Sequence, residues 1–348
     1  MTRTAKRGRD PEIWRGLKKR DRRWTVSVCV MAALALGLVA FMMIYGNTVY
    51  SPAVILRVLS GESIKGASYT IGTLRLPRTL AAVFAGFAFG MAGHIFQSVL
   101  RNSLASPDII GVSSSTSAAA VFCISLLGMD GFAVPVIAVV TGIAVSLIIY
   151  LLVARGGFSH ARMILIGIGV QAMVRALTSF VLSRTSEYDV AAAMRWMNGS
   201  LNSADMQDAG YLAAIVAAGV FILLFFARTL KILALGDEYS RTLGAAPRRA
   251  VPMLIGAAVL MVAFATAAVG PIASVAFLSG PVATRVSGRS RSGLLPSGLV
   301  GCILILAADM AGQYAFTARY PVGVVTGLLG APYLLYLLIT MNRKGETV

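Results

Sequence analysis

The sequence predicts an all-α, polytopic membrane protein of ten transmembrane helices with both termini in the cytoplasm. Three observations carry that prediction. Of the 348 residues 57% are hydrophobic and only 13% charged, with a mean hydropathy of +0.79, whereas soluble domains run roughly 45–50% apolar and about 25% charged. Ten apolar runs recur along the chain, close to the ~20 residues that a helical span needs. The 31 Lys and Arg residues, against 14 Asp and Glu, lie between those runs and not on one polar domain. The net charge of +17 therefore reads as membrane topology and excludes a nucleic-acid partner.

Residues 1–24 are a basic tail containing Arg3, Lys6, Arg7, Arg9, Arg15, Lys18, Lys19, Arg20, Arg22 and Arg23, expected to be disordered and cytoplasmic. The charge-free run Thr25–Tyr45 follows, 21 residues or about 31 Å as a helix at ~1.5 Å per residue. That is a full span, longer than the roughly 7–15 apolar residues of a signal peptide. A transmembrane domain is expected over 25–341, with further spans near 79–99, 111–129, 132–154, 161–183, 209–230, 250–269, 272–286, 294–312 and 321–341, and a cytoplasmic tail at 342–348. The run at 272–286 is short and is parted from its predecessor only by Gly270-Pro271.

Loop charge tests this count. With the tail inside and sides alternating, 23 of the 31 cations fall in cytoplasmic segments: the tail, Arg101, Arg155, Arg162, five from Arg228 to Arg249, Arg285, Arg289, Arg291, Arg343 and Lys344. Seven lie outside, Arg57, Lys65, Arg75, Arg78, Arg184, Arg195 and Arg319, and Arg175 is inside a span. This asymmetry obeys the positive-inside rule, and basic flanks at both ends require an even number of spans. Residues 46–78 form a long external connection and 231–249 a long internal one. Within the latter, Gly236 to Gly244 is helix-competent, with Asp237 and Glu238 at the end where the helix dipole favours anions and Pro247 blocking its continuation.

The search for chemistry is mostly negative. No Gly-x-x-x-x-Gly-Lys-Ser/Thr is present, so no P-loop binds ATP here. Cys29, Cys123 and Cys302 are scattered through apolar runs, and His94 and His160 are the only histidines, so a metal cluster and a nucleophile–base pair are both excluded. Catalysis is not expected. Ionisable groups inside spans are the better lead, because they are expensive there. Gln171, Arg175 and Thr178 follow i, i+4, i+7 spacing and make one polar stripe, either lining a wet pathway for anionic cargo or bonded to a neighbouring helix. Asp309 reads as a helix-pairing group or as a proton carrier, and His94, among Gly86, Gly90 and Gly93, as a close-packing position.

A specific resemblance begins at Arg75-Leu76-Pro77-Arg78-Thr79-Leu80. It continues through Gln97, Arg101-Asn102-Ser103-Leu104-Ala105-Ser106-Pro107-Asp108-Ile109-Ile110-Gly111-Val112-Ser113-Ser114, Trp196-Met197-Asn198-Gly199-Ser200-Leu201 and Leu235-Gly236-Asp237-Glu238 to Leu243-Gly244. Ala308-Asp309, Tyr320-Pro321-Val322-Gly323-Val324-Val325-Thr326-Gly327 and Gly330-Ala331-Pro332 complete it. Together these resemble the permeases of ABC-type importers for ferric siderophores, haem and cobalamin, and Phe277-Leu278-Ser279-Gly280-Pro281 is most similar to the siderophore branch. The resemblance implies a bacterial cytoplasmic-membrane permease that pairs with a second permease subunit, two ATPase subunits and an extracytoplasmic solute-binding protein. ATP and Mg would be bound by the ATPases, and this chain would need no cofactor. It implies further that Gly236, Asp237, Glu238, Arg241, Leu243 and Gly244 form the coupling segment on the ATPase, and that Arg75 and Arg78 meet carboxylates of the binding protein. Asn102, Pro107 and Gly111 would shape a structural turn. Four departures stand out: Ser103 replaces a usual proline, Ser114-Ser115-Thr116 is more polar than Ser-Gly-Ala, Pro281 is not followed by a histidine, and Gln313 replaces a frequent arginine whose docking contact Arg319 could take over. The rival reading is an ion-coupled secondary transporter with Asp309 as the carrier; a membrane enzyme is a distant third.

Overall fold

The computed structural model describes residues 11–154, 159–272, 274–288 and 291–343. The first ten residues of the basic tail, Arg155, Arg289 and the C-terminal tail from Lys344 lie outside them. All regular structure among the described residues is helical.

Helix α1 (Pro11–Ile44) is the first departure from expectation. The tail expected to be disordered up to residue 24 is helical from Pro11, and its last turns are tied to residues 285–292. Arg23 donates Nη2 to the Arg285 carbonyl at 2.7 Å and Nε to that of Val286 at 3.2 Å, and Trp24 Nε1 donates to Ser292 O at 3.2 Å. The external connection is also ordered. Ser51 caps α2 (Pro52–Leu59), whose Leu56 and Leu59 are exposed, and a π-helical stretch, Tyr69–Arg75, runs straight into α3 (Leu76–Leu100).

Helix α3 is the centre of the molecule. Its glycines are there because neighbouring backbones occupy the space a Cβ would take: on Gly86 it would sit 2.5 Å from the Cα of Cys302, and on Gly90 and Gly93 it would overlap the carbonyl oxygens of Ser297 and Ala276. Small residues let helices approach to backbone contact, which in a membrane replaces the missing hydrophobic drive. The close-packing reading of the His94 neighbourhood is thereby met.

After a 3₁₀ turn (Pro107–Ile110) come α4 (Val112–Leu127), α5 (Ala133–Ala154) and α6 (His160–Ser183). Next is α7 (Glu187–Met197), an amphipathic helix the apolar-run analysis did not anticipate, because its charged residues conceal it. Helix α8 (Met206–Phe225) leads to the cytoplasmic elbow of α9 (Ala227–Leu233) and α10 (Asp237–Thr242). The chain closes with α11 (Pro247–Val269), α12 (Val275–Ser287), α13 (Leu294–Tyr314) and α14 (Val322–Arg343).

Every expected span coincides with a helix. Seven are long and apolar enough to cross a membrane: α1, α3 with its π-helical lead, α5, α6, α8, α11 and α13. Helices α4 and α14 carry shorter apolar stretches, and α12 has 13 residues. The chain is an integral, multi-pass membrane protein.

Candidate functional site

At one end of the bundle α3, α13 and the α7–α8 loop meet. Arg78, on the first turn of α3, forks onto Asp309 of α13: Nε donates to Oδ2 at 2.8 Å and Nη2 to Oδ1 at 2.6 Å. The remaining edge of the guanidinium donates Nη1 to Asn202 Oδ1 at 2.6 Å, and Gln313 Nε2 donates to Asp309 Oδ2 at 2.7 Å. The Asp309 side chain is 2% exposed and that of Arg78 18%. A buried carboxylate with this donor set is neutralised and saturated, which is how a charge is held at low dielectric. Arg78, expected to face a binding protein, is turned into its own chain, and Asp309 is a helix-pairing group. Gln313, which stands where an arginine is frequent, completes that pair.

Arg75 is committed in the same manner. Its Nη1 donates to the carbonyls of Met43 at 2.7 Å and Ile44 at 3.0 Å, its Nη2 donates to that of Thr48, and its guanidinium lies over the Tyr50 ring at 5.2 Å. The Met43 and Ile44 carbonyls are at the C-terminus of α1, where a cation is favoured, and Thr48 lies in the turn that follows. Arg319 alone of the three arginines is on an exposed rim, donating Nη2 to Asn47 Oδ1 at 3.1 Å.

The separated motifs are brought together just behind this pair. Gly199 (φ +63°) and Gly270 (φ +72°) turn against each other, Ser200 N donates to Val269 O at 2.8 Å, and Gly323 N donates to Gly199 O at 3.2 Å. A Cβ on Gly323 would overlap the Asn198 carbonyl oxygen. Trp196–Leu201 and Tyr320–Gly327 are therefore one junction, which their spacing in the chain did not disclose.

At the opposite end, Asn102 Oδ1 accepts from Leu104 N at 2.7 Å, an Asx turn that holds the bend without the proline replaced by Ser103. Pro107 opens the 3₁₀ turn and Gly111 (φ +68°) closes it, donating its N–H to Asp108 O at 2.8 Å. The expected polar stripe on α6 is split by this packing. Gln171 Nε2 donates to the Asp108 carbonyl, Thr178 is buried with Oγ1 on Val174 O at 2.9 Å, and Arg175 is exposed. Burial pushes the Asp108 carboxyl up, while hydrogen bonds from Ser113 and Ser106 and the nearby Arg175 cation pull it back.

The elbow is built on Gly236 (φ +108°) and Gly244 (φ +77°), which bracket α10 as the sequence indicated. Ser240 is fully buried and donates Oγ to the Ile232 carbonyl at 3.0 Å, locking α10 onto α9. Leu235, Tyr239 and Leu243, at i, i+4 and i+8, are 59%, 67% and 58% exposed. Tyr239 lies on α10 and the two leucines at its flanks, so exposed apolar side chains surround this short helix. The backbones of Asp237, Glu238 and Arg241 lie in α10. Among the described residues no group of three His, Cys, Asp or Glu side chains comes together as a metal site.

Comparison with known proteins agrees with this architecture. Residues 32–340 match the model of the FecCD transport family. The chain is 35% identical over 320 residues to the ferric enterobactin transport system permease protein FepG of Escherichia coli (strain K12), covering 92% of this chain and 95% of that one. It is 33% identical over 282 residues to the Fe(3+)-citrate import system permease protein YfmD of Bacillus subtilis (strain 168), covering 80% and 82%. It is 31% identical over 274 residues to the cobalamin import system permease protein BtuC of Halobacterium salinarum, covering 78% and 74%. Among solved structures, a metal-chelate type ABC transporter in an inward-facing conformation superposes with a TM-score of 0.81 at 22% identity, covering 90% of this chain and 98% of that one, a likeness of fold.

Proposed function

This chain belongs to the FecCD transport family, and we propose on that premise that it is the membrane-spanning permease of an ATP-driven importer carrying a ferric siderophore across the bacterial cytoplasmic membrane. In this reading ten helices cross the bilayer, the three short ones being α4, α12 and α14, and both termini are cytoplasmic. A second permease subunit, identical or related, completes the pathway. Two ATPase subunits bind ATP and Mg, and an external solute-binding protein delivers the cargo. Siderophore is favoured over cobalamin by the enterobactin and citrate permeases among the relatives.

The observation that carries the reading is the exposed apolar side chains around α10, Tyr239 on the helix with Leu235 and Leu243 at its flanks. Exposed apolar side chains on a hydrogen-bonded elbow suit a docked partner. A secondary transporter has no use for it, and its required carrier, Asp309, is already saturated by Arg78, Asn202 being held on the same guanidinium. Arg175 supports the same assembly. Its exposed position on α6, among Met173, Leu177 and Phe180, is costly against lipid and suits a second subunit or a wet pathway between the two. Of Arg75, Arg78 and Arg319, the exposed Arg319 is the best placed to steer a binding protein.

The test is uptake of a ferric siderophore by proteoliposomes holding the purified complex, with either an active or a hydrolysis-dead ATPase. Uptake that requires the active ATPase is expected. Uptake driven by an ion gradient without it overturns the proposal.

A further inference from the structure

The N-terminal turns of α1 have two faces, and one of them is spent inside the chain. Arg23 donates to the carbonyls of Arg285 and Val286, Ser27 to that of Val286 and Trp24 to that of Ser292, while Asp21 pairs with Arg291 at 3.6 Å. The buried Met31 and Ala35 carry this face on into the bundle. The other face begins with Arg15, Lys18, Lys19 and Arg22, at i, i+3, i+4 and i+7, all exposed. None of the four has a hydrogen bond or ion pair among the described residues. Glu12, one turn earlier in the chain, leaves the face net positive.

Topology accounts for the number of these cations but not for their alignment, because the positive-inside rule counts charge near a span and ignores helix face. Like charges four residues apart, Arg15 with Lys19 and Lys18 with Arg22, repel along a helix. The alignment continues past Arg22: Val26, Cys29, Val30, Ala33 and Leu36 follow at helical spacing and are exposed. They form the apolar face that α1 turns away from α3, α12 and α13, its neighbours in the bundle. Arg22 stands about 4.5 Å along the axis from Thr25, where the charge-free run begins, and Lys18 and Lys19 about 10 Å, at ~1.5 Å per residue. The polar layer over the hydrocarbon core is roughly 5–7 Å deep, and long Lys and Arg stems reach down into it. The cations therefore stand directly above the lipid that this side of α1 meets.

A protein partner is placed elsewhere. Asp21, on the opposite face, acts electrostatically on Lys231 of α9, so the elbow lies on that side of α1. Helix α6, whose exposed face suits a second subunit, packs on α4 and α5 instead. Resting on the orientation proposed above, we infer that the face of Arg15, Lys18, Lys19 and Arg22 binds anionic phospholipid headgroups of the inner leaflet. Lys18, Lys19 and Arg22 meet the phosphates, and Arg15 lies in their field. Each such cation adds attraction to an anionic surface, and the attraction falls off within a Debye length. The bound lipid steadies the helix whose other face holds the α12–α13 connection.

The test uses Cys29, exposed on the same face while Cys123 and Cys302 are buried, as the reporter. Bimane is attached there in the assembled importer, with no other reactive cysteine in the complex. The complex is placed in phosphatidylcholine nanodiscs doped with either spin-labelled phosphatidylglycerol or spin-labelled phosphatidylcholine. Phosphatidylglycerol is expected to reach half-quenching at a mole fraction at least fivefold lower, and added salt to shrink that preference. Lys18→Gln with Lys19→Gln and Arg22→Gln is expected to abolish it. Lys18→Arg with Lys19→Arg and Arg22→Lys keeps it, and so does Arg20→Gln, which lies off this face. Equal quenching by the two lipids overturns the inference, as does a preference that survives the triple Gln variant. Loss of the ATPase from that variant with its lipid preference unchanged also overturns it, and assigns the face to an acidic protein surface. A nanodisc offers both lipids in both leaflets, so the preference is read whichever way the chain faces. Uptake by proteoliposomes is measured in parallel: uptake without ATP overturns the importer reading and leaves the lipid face standing.

Discussion

Arg78 and Asp309 show how much one pair can decide. As separate residues they are an external arginine suited to docking and an intramembrane acid suited to proton transfer; as a fork at 2.6 and 2.8 Å they join two helices. Removing one member of a buried pair leaves the other charge unpaired, a loss of about 3–5 kcal/mol, whereas replacing both with apolar groups of similar volume is often neutral. Asp309→Asn is therefore expected to lower the thermal unfolding midpoint of the detergent-solubilised permease sharply, and Arg78→Met with Asp309→Leu to recover most of it and to retain ATP-driven uptake. A carrier role for Asp309 requires the opposite: the double variant would be stable and would not transport. Neither residue announces its partner in the chain, because 231 positions separate them and no local pattern spans that distance.

Among the elements, the cytoplasmic elbow was legible and its working surface was not. Gly236, Gly244 and Pro247 punctuate α10 in a way that composition discloses, since two left-handed positions and a helix breaker have few other uses. Which side of so short a helix faces outward depends on Ser240 being buried against Ile232, and only the packed structure supplies that. Tyr239→Asp or Leu243→Asp is expected to break copurification with the ATPase, the loss of an interface anchor being worth about 2 kcal/mol or more, roughly thirtyfold in affinity. The permease alone should unfold at an unchanged temperature, since both side chains are exposed. Helix α7 was missed for the converse reason. Its Glu187, Asp189 and Arg195 break any apolar run, and its capping by Ser186, which accepts from Asp189 N at 3.2 Å, is a local signal that hydropathy does not weigh.

For the whole molecule, the orientation rests on charge. With the tail and the α10 elbow inside, α2 and the Arg57–Glu62 pair lie outside, on a helix whose exposed Leu56 and Leu59 suit the headgroup boundary. A cysteine at Glu62 is expected to react with a membrane-impermeant maleimide in intact cells, while a cysteine at Thr242 reacts only after the membrane is opened. Cys29, the one exposed native cysteine, is replaced first; Cys123 and Cys302 are buried. The reverse pattern of labelling inverts the topology.

The sequence by itself determined the membrane class, the positions of the helices and the side that each loop favours, because hydrophobic run length and cation placement are local properties that the bilayer reads directly. It also carried the family, in motifs too specific to arise together by chance. The tertiary structure decided which charges are spent inside the chain and which remain for partners. It turned Arg75 and Arg78 inward, left Arg319 on the rim and split the stripe of Gln171, Arg175 and Thr178. The reason is physical: a charge at low dielectric must find its partner wherever the fold brings one, and glycine-to-backbone contact between α3, α12 and α13 sets where that is.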